Sequence, residues 1–209
     1  MSAATGRGAS AGSTPPPDLR TQQKQYTRTR LLSAACDVFA EKGYDSATVD
    51  DVVAAAGAAR ATFYLHFSGK ADVVTELADR MWSDTLDRFT AFGDLPDWSH
   101  ATIRAWLTTY MEQAEDNSRA ISVLTEQLPH TLRSQHQAHL REFVRVLTRP
   151  PERWAHFSRP EAARRAFLLI TQLETFMPSW FAGRWTHQRS AMLDTLADVW
   201  RTTLRADPS

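Results

Sequence analysis

Within the stretch Arg60-Ala61-Thr62-Phe63-Tyr64-Leu65-His66-Phe67, two rings alternate with a guanidinium, two hydroxyls, an imidazole and small apolar groups. On a helix, at about 100° per residue, Ala59, Phe63 and Phe67 fall on one side. Ala61, Tyr64 and Leu65 fall on the other, with Arg60 and Thr62 on the flanks. The apolar side is expected to pack inward and the mixed side to face out. No nucleophile, general base or metal-ligand set stands in the outward group, so its chemistry is recognition. Arg60 can donate two hydrogen bonds to a guanine edge, and Ala61 and Leu65 can touch thymine methyls. Thr62, Tyr64, His66 and Lys70 can hydrogen-bond phosphates, which positions a protein on a duplex without reading it.

These residues need a frame that holds their helix outward. Upstream, Thr48 precedes Val49-Asp50-Asp51, and its hydroxyl is placed to cap the free amides of that turn. Asp50 and Asp51 suit the positive end of the same helix. Val49, Val52, Val53 and Ala56 form its inner face, and Gly57 ends it. Two short helices joined by a glycine-containing turn make a helix-turn-helix. A first helix over about Thr27 to Lys42 presents Leu31, Leu32, Ala35, Val38 and Phe39 inward, with Gly43 as a left-handed C-terminal cap. Residues 1–25, MSAATGRGASAGSTPPPDLRTQQKQ, are small, polar and proline-rich, and are expected to form a disordered basic arm.

The segment from Arg28 to Val74 resembles the DNA-binding domain of TetR-type (tetracycline-repressor-like) transcriptional regulators. The matching pieces are R-x-x-LL-x-AA-x-x-x-FAEKGY at Arg28 to Tyr44, ATVDDVVAAAG at Ala47 to Gly57, and ATFYLHFSGKADVV at Ala61 to Val74. Two departures are visible: Ala59 stands where the family usually has a hydroxyl-bearing cap, and Ala58 where valine is common. The candidate DNA contacts are Arg28, Thr48, Arg60, Ala61, Thr62, Tyr64, Leu65, His66 and Lys70. The resemblance implies a repressor that binds a pseudo-palindromic double-stranded operator as a homodimer and is released by a small effector. The alternative is a protein of the same fold that acts through protein partners or without an effector.

Past Gly69 the pattern stays helical, with no sustained period-2 alternation and no hairpin signal. The fold class expected is all-α, with about nine helices. A three-helix helix-turn-helix domain over 26–68 precedes a helical bundle over 69–209, which by resemblance binds the ligand and dimerises. The run Ala166 to Phe181 and the last helix, about Thr186 to Ala206, are apolar on more than one face. They therefore need a partner outside their own core, which the resemblance supplies as the same helix pair of a second copy. Pro178 is expected to kink or end its helix near Met177, opening space for a pocket. Seven tryptophans exceed what a small core requires, and some are expected to line a cavity for an apolar or aromatic molecule. The candidate ligand set is Met81, Trp82, Trp106, Tyr110, Leu124, His139, Phe143, Glu174 and Met177. Gln127, His130 and Gln172 are further polar groups, and Glu174 stands out within its apolar run.

Over the whole chain, 24 Lys+Arg balance 24 Asp+Glu, so nucleic-acid contact must come from a local patch. Cys36 is the single cysteine, which excludes an internal disulfide and a cysteine-cluster metal site. It is expected to be a small buried hydrophobe. His136 and His139 lie one turn apart, with no carboxylate or thiol nearby in sequence to complete a metal set. Nucleophile elbows, phosphate-cradling loops and paired acids are absent, so neither an enzyme nor a cofactor is expected. No apolar run reaches the roughly 20 residues of a membrane span, and no signal-peptide core is visible. A cytoplasmic protein is the expectation.

Overall fold

The computed structural model describes residues 18–126, 132–183 and 188–205. Among them the chain is helical, with no strand. Helices α1 (Leu19–Lys42), α2 (Val49–Ala56) and α3 (Arg60–Tyr64) form an N-terminal head. α4 (Lys70–Gly93) leads into a body of α5 (His100–Asp116), α6 (Ser118–Glu126), α7 (Arg133–Leu147), α8 (Arg159–Phe181) and α9 (Arg189–Leu204). In the head α1 packs on α2; in the body α4 packs on α7 and α5 on α9, while α1 also touches α6 and α4. Buried side chains from Leu31 to Leu204 join in one continuous core.

α1 begins earlier than expected. Asp18 caps it by accepting from the Thr21 amide at 2.7 Å, so residues 19–25, assigned to the arm, are helical. That first stretch buries nothing, and Leu19 and Tyr26 are exposed, so hydrophobic periodicity carried no signal there. The rest of the expected arm, residues 1–17, lies outside the described residues. Gly43 has a positive φ of 81° but a ψ of 148°, so it ends α1 outside the left-handed helical well. Gly57, at φ 59° and ψ 40°, is the true left-handed cap and sets the tight turn into α3.

Thr48 caps α2 with a reciprocal box: its hydroxyl accepts from the Asp51 amide at 3.1 Å, and Asp51 accepts from the Thr48 amide at 2.9 Å. That carboxylate also takes Lys42 at 2.6 Å, and these bonds, Lys42 first, hold its pKa down at about 2. α3 has no side-chain cap at Ala59, and Ala59 is exposed rather than packed inward. A five-residue helix without a cap depends on its anchors. Phe63 and Phe67 supply them, both buried, with rings 5.6 Å apart.

In the body, α8 runs through Pro178 to Phe181 and does not stop near Met177. Pro178 sits in the last turn, where its carbonyl still accepts from Ala182 at 3.0 Å. What it removes is one donor: it has no N–H to give the Glu174 carbonyl four residues back. The expected helix starts at Pro129 and Thr186 lie outside the described residues. Among the described residues no helix is long and apolar enough to cross a membrane.

Candidate nucleic-acid interface and effector cavity

On the head, the buried pair Phe63 and Phe67 turns the rest of α3 outward. Tyr64 is 49% and Leu65 77% exposed, and Arg60 and Ala61 are also open to solvent. Thr62 is half-buried. Arg60 pairs with Asp50 of α2 at 2.5 Å and reaches the Tyr64 hydroxyl at 3.4 Å, with its guanidinium 5.7 Å from the Tyr64 ring. The result is a short outward ridge carrying a guanidinium, a phenol and two apolar side chains. It can read base edges and methyl groups in a groove wide enough to admit a helix.

Four of the expected DNA contacts are occupied elsewhere. Lys70 donates to three main-chain carbonyls of the α1–α2 connection: Tyr44 at 2.7 Å, Asp45 at 3.3 Å and Ala47 at 2.5 Å. Its ammonium is a clamp and is not presented to a phosphate. Arg28 bonds the His66 carbonyl and the Glu76 carboxylate, and lies 4.3 Å over the Phe67 ring. It ties α1 to the end of α3 and to α4. The Thr48 hydroxyl is spent in the capping box and also donates to Asp51 at 2.8 Å. His66 is half-buried; burial and then Arg28 hold its pKa below the ordinary histidine value, so it is a poor partner for an anion. Sequence spacing finds which residues are polar, but not the main-chain carbonyls they meet across 20 to 40 residues of chain.

In the body, α4, α5, α6, α7 and α8 enclose a cavity of about 390 Å³. Seven of the nine expected ligand residues line it: Met81, Trp82, Tyr110, Leu124, Phe143, Glu174 and Met177. Two do not. Trp106 lies in the aromatic core, 4.9 Å from Phe92 and 5.4 Å from Trp200, with its indole N–H donated to the Arg88 carbonyl. His139 stacks on Trp82 at 4.3 Å, behind the wall. Among the described tryptophans only Trp82 lines this cavity; Trp185, Gln127 and His130 lie outside the described residues. Gln172 accepts from the Trp200 indole at 3.1 Å and belongs to the core.

The polar part of this cavity was only half legible. Glu174 faces His136 at 3.6 Å, so the fold supplies a carboxylate beside the histidine pair that the sequence lacked locally. Two histidines and one acid form no metal set, and no group able to hold a metal occurs among the described residues. Burial raises the Glu174 carboxyl to about 7, and burial with His139 lowers His136. Arg88 and Arg133 also reach the wall. Arg88 lies over the Tyr110 ring at 5.4 Å and binds Gln113 at 2.8 Å. Burial pushes the Tyr110 phenol up to about 12, so it stays neutral.

Met81, Arg88, Ala114 and Ile121 also line a second, more polar cleft of about 620 Å³ where α1 meets α4 and α6. Cys36 lies on that cleft, half-buried, with burial raising its thiol to about 11. It is therefore unreactive as a nucleophile at neutral pH. An ion pair between Arg119 of α6 and Asp37 of α1 spans the same junction.

Comparison with known proteins bears on both regions. The family model described as bacterial regulatory proteins, tetR family, matches residues 31–77. The HTH-type transcriptional repressor KstR2 of Rhodococcus jostii is 30% identical over 129 residues, 62% of this chain and 63% of that protein. YvdT of Bacillus subtilis, an HTH-type transcriptional regulator, is 39% identical over 72 residues, 34% of this chain and 37% of that protein. The match thus spans less than two thirds of either relative. TtgW of Pseudomonas putida, also an HTH-type transcriptional regulator, is 30% identical over 100 residues, 47% of this chain and 75% of that protein. Among solved structures, the transcriptional regulator FadR from Bacillus subtilis in complex with stearoyl-CoA superposes with a TM-score of 0.67 at 15% identity. That superposition covers 84% of this chain and 98% of FadR.

Proposed function

The chain belongs to the TetR family of bacterial regulatory proteins, and from that premise we propose that it is a DNA-binding transcriptional regulator, a repressor released from its operator by a small, largely apolar or aromatic effector. Residues 26–68 act as the DNA-binding unit, and residues 69–209 as the effector-binding and dimerising unit. The observation that carries this reading is the α3 ridge, where Tyr64 and Leu65 stand exposed above the buried Phe63 and Phe67. A large exposed phenol and leucine on so short a helix need a surface to meet, and a duplex groove fits them.

Two copies joined through α8 and α9 would place two such ridges on one pseudo-palindromic site. Phe167 and Leu168 of α8 and Val199 of α9 are exposed apolar side chains, which supports that face as the contact. The effector enters the α4–α8 cavity, as the stearoyl-CoA of the FadR complex is consistent with. α4 carries Lys70 at the head and Met81, Trp82 and Arg88 at the cavities, so a ligand that favours one tilt of α4 shifts the population of DNA-competent dimers. Such a regulator works in the cytoplasm.

A gel-shift titration against the DNA upstream of its own gene tests the reading. Tyr64→Ala should weaken binding to every sequence that is bound. Arg60→Ala should relax base preference at one position by ~1–3 kcal/mol. Full binding by a Tyr64→Ala, Leu65→Ala double variant would remove the ridge from the account.

A further inference from the structure

The effector cavity has an apolar body and a polar end, and that end is made almost wholly of donors. Trp82 is 2% exposed and lines the cavity, yet its indole N–H meets no acceptor among the described residues. A buried N–H without a partner costs about 1–3 kcal/mol, so a bound molecule that accepts from it is favoured. Arg88 and Arg133 add guanidinium groups to the same wall, and neither forms an ion pair among the described residues. Glu174 is the one carboxyl group there, and neither arginine neutralises it; the nearest basic group is the His136 imidazole, at 3.6 Å.

We propose that the polar end holds the carbonyl oxygen of an acyl compound, which accepts from the Trp82 indole N–H and from the Glu174 carboxyl while its chain lies along Met81, Leu124, Phe143 and Met177. The proposal rests on the reading of this cavity as the effector site and names the chemistry it selects. Burial keeps the Glu174 carboxyl protonated over much of the neutral range, and in that form it donates a hydrogen bond. A ligand offering only acceptors suits a wall of donors, whereas a ligand cation would face two unneutralised guanidinium groups. A free carboxylic acid and an acyl thioester share this oxygen. The adjoining cleft, which shares four lining residues with the cavity, gives the larger head of a thioester somewhere to lie.

Calorimetric titration of the full chain at pH 7 with dodecanoic acid, dodecanoyl-CoA and 1-aminododecane tests this. One or both acyl compounds bind and the amine does not; which of the two binds identifies the source of the oxygen. Trp82→Phe, which keeps a ring but loses the N–H, weakens acyl binding about tenfold. Glu174→Gln keeps a donor and stays within about threefold of the wild type, whereas Glu174→Leu loses at least tenfold. Thermal unfolding of each variant without ligand separates lost binding from lost structure; if Trp82→Phe does not fold, the Gln and Leu pair at Glu174 decides. The inference is overturned if the amine binds as well as the acyl compounds, if neither acyl compound binds, or if Glu174→Gln and Glu174→Leu bind alike. These titrations need no DNA, so they can fail while operator binding stands, and a failed gel shift leaves them untouched.

Discussion

Replacing Lys70 by methionine separates two roles for one ammonium. The structure gives it three carbonyls of the α1–α2 connection, two of them at 2.7 and 2.5 Å. Hydrogen bonds to a charged group contribute about 1.5–3 kcal/mol net, and these share one donor at a half-buried site, so about 2–3 kcal/mol is expected for the whole clamp. Methionine keeps the apolar stem and removes the donors. For a chain of this size each kcal/mol moves the unfolding midpoint by about 2–4 °C, so the drop should be about 4–12 °C. DNA binding should weaken because the head is held less firmly, but the slope of log affinity against log salt should stay as in the wild type. A lysine that touched a phosphate would instead lower that slope by about one when removed. Circular-dichroism melts and gel shifts at four salt concentrations give both numbers. An unchanged midpoint together with a slope reduced by one would refute the clamp and return Lys70 to the phosphates.

Three further outcomes follow from the same geometry. Burial makes the folded chain hold the Glu174 proton more tightly than the unfolded chain, so the stability this group contributes is full below its ordinary pKa of 4.5 and is lost as pH rises to about 7. Glu174→Gln should therefore gain stability over the wild type at pH 8, by up to about 3 kcal/mol, and little at pH 5; equal urea midpoint shifts at both pH values would contradict this. Leu168→Arg combined with Val199→Arg should turn dimers into folded monomers in sedimentation velocity, and a dimer that survives would move the contact elsewhere. Thr48→Ala should cost ~1 kcal/mol in urea unfolding through loss of the α2 cap, and no measurable change would show that Asp51 alone holds that turn.

The head was legible in the sequence because its elements are short and punctuated. Thr48, Gly57 and the Phe63/Phe67 spacing each mark a boundary or a face by local chemistry, and the structure keeps them at those roles. The start of α1 was hidden because its first turns have no buried face; Asp18 with the Thr21 amide was the available signal. In the body, apolar character found most of the cavity wall but could not separate Trp82 on the wall from Trp106 in the core, since both are indoles on amphipathic helices. The pairing of Glu174 with His136, and of Arg28 with Glu76, depends on which helices meet. That is a tertiary fact no single-helix pattern contains.

The grip of Lys70 falls on backbone oxygens, which every amino acid supplies alike. The connection it holds can therefore change its side chains widely without losing the fastening. A foreign three-helix reader grafted ahead of residue 70 would dock by the same lysine, provided that its own loop follows the same path and that an arginine–glutamate partner to Arg28 and Glu76 travels with it. In this molecule the socket for interchangeable readers is built from peptide bonds.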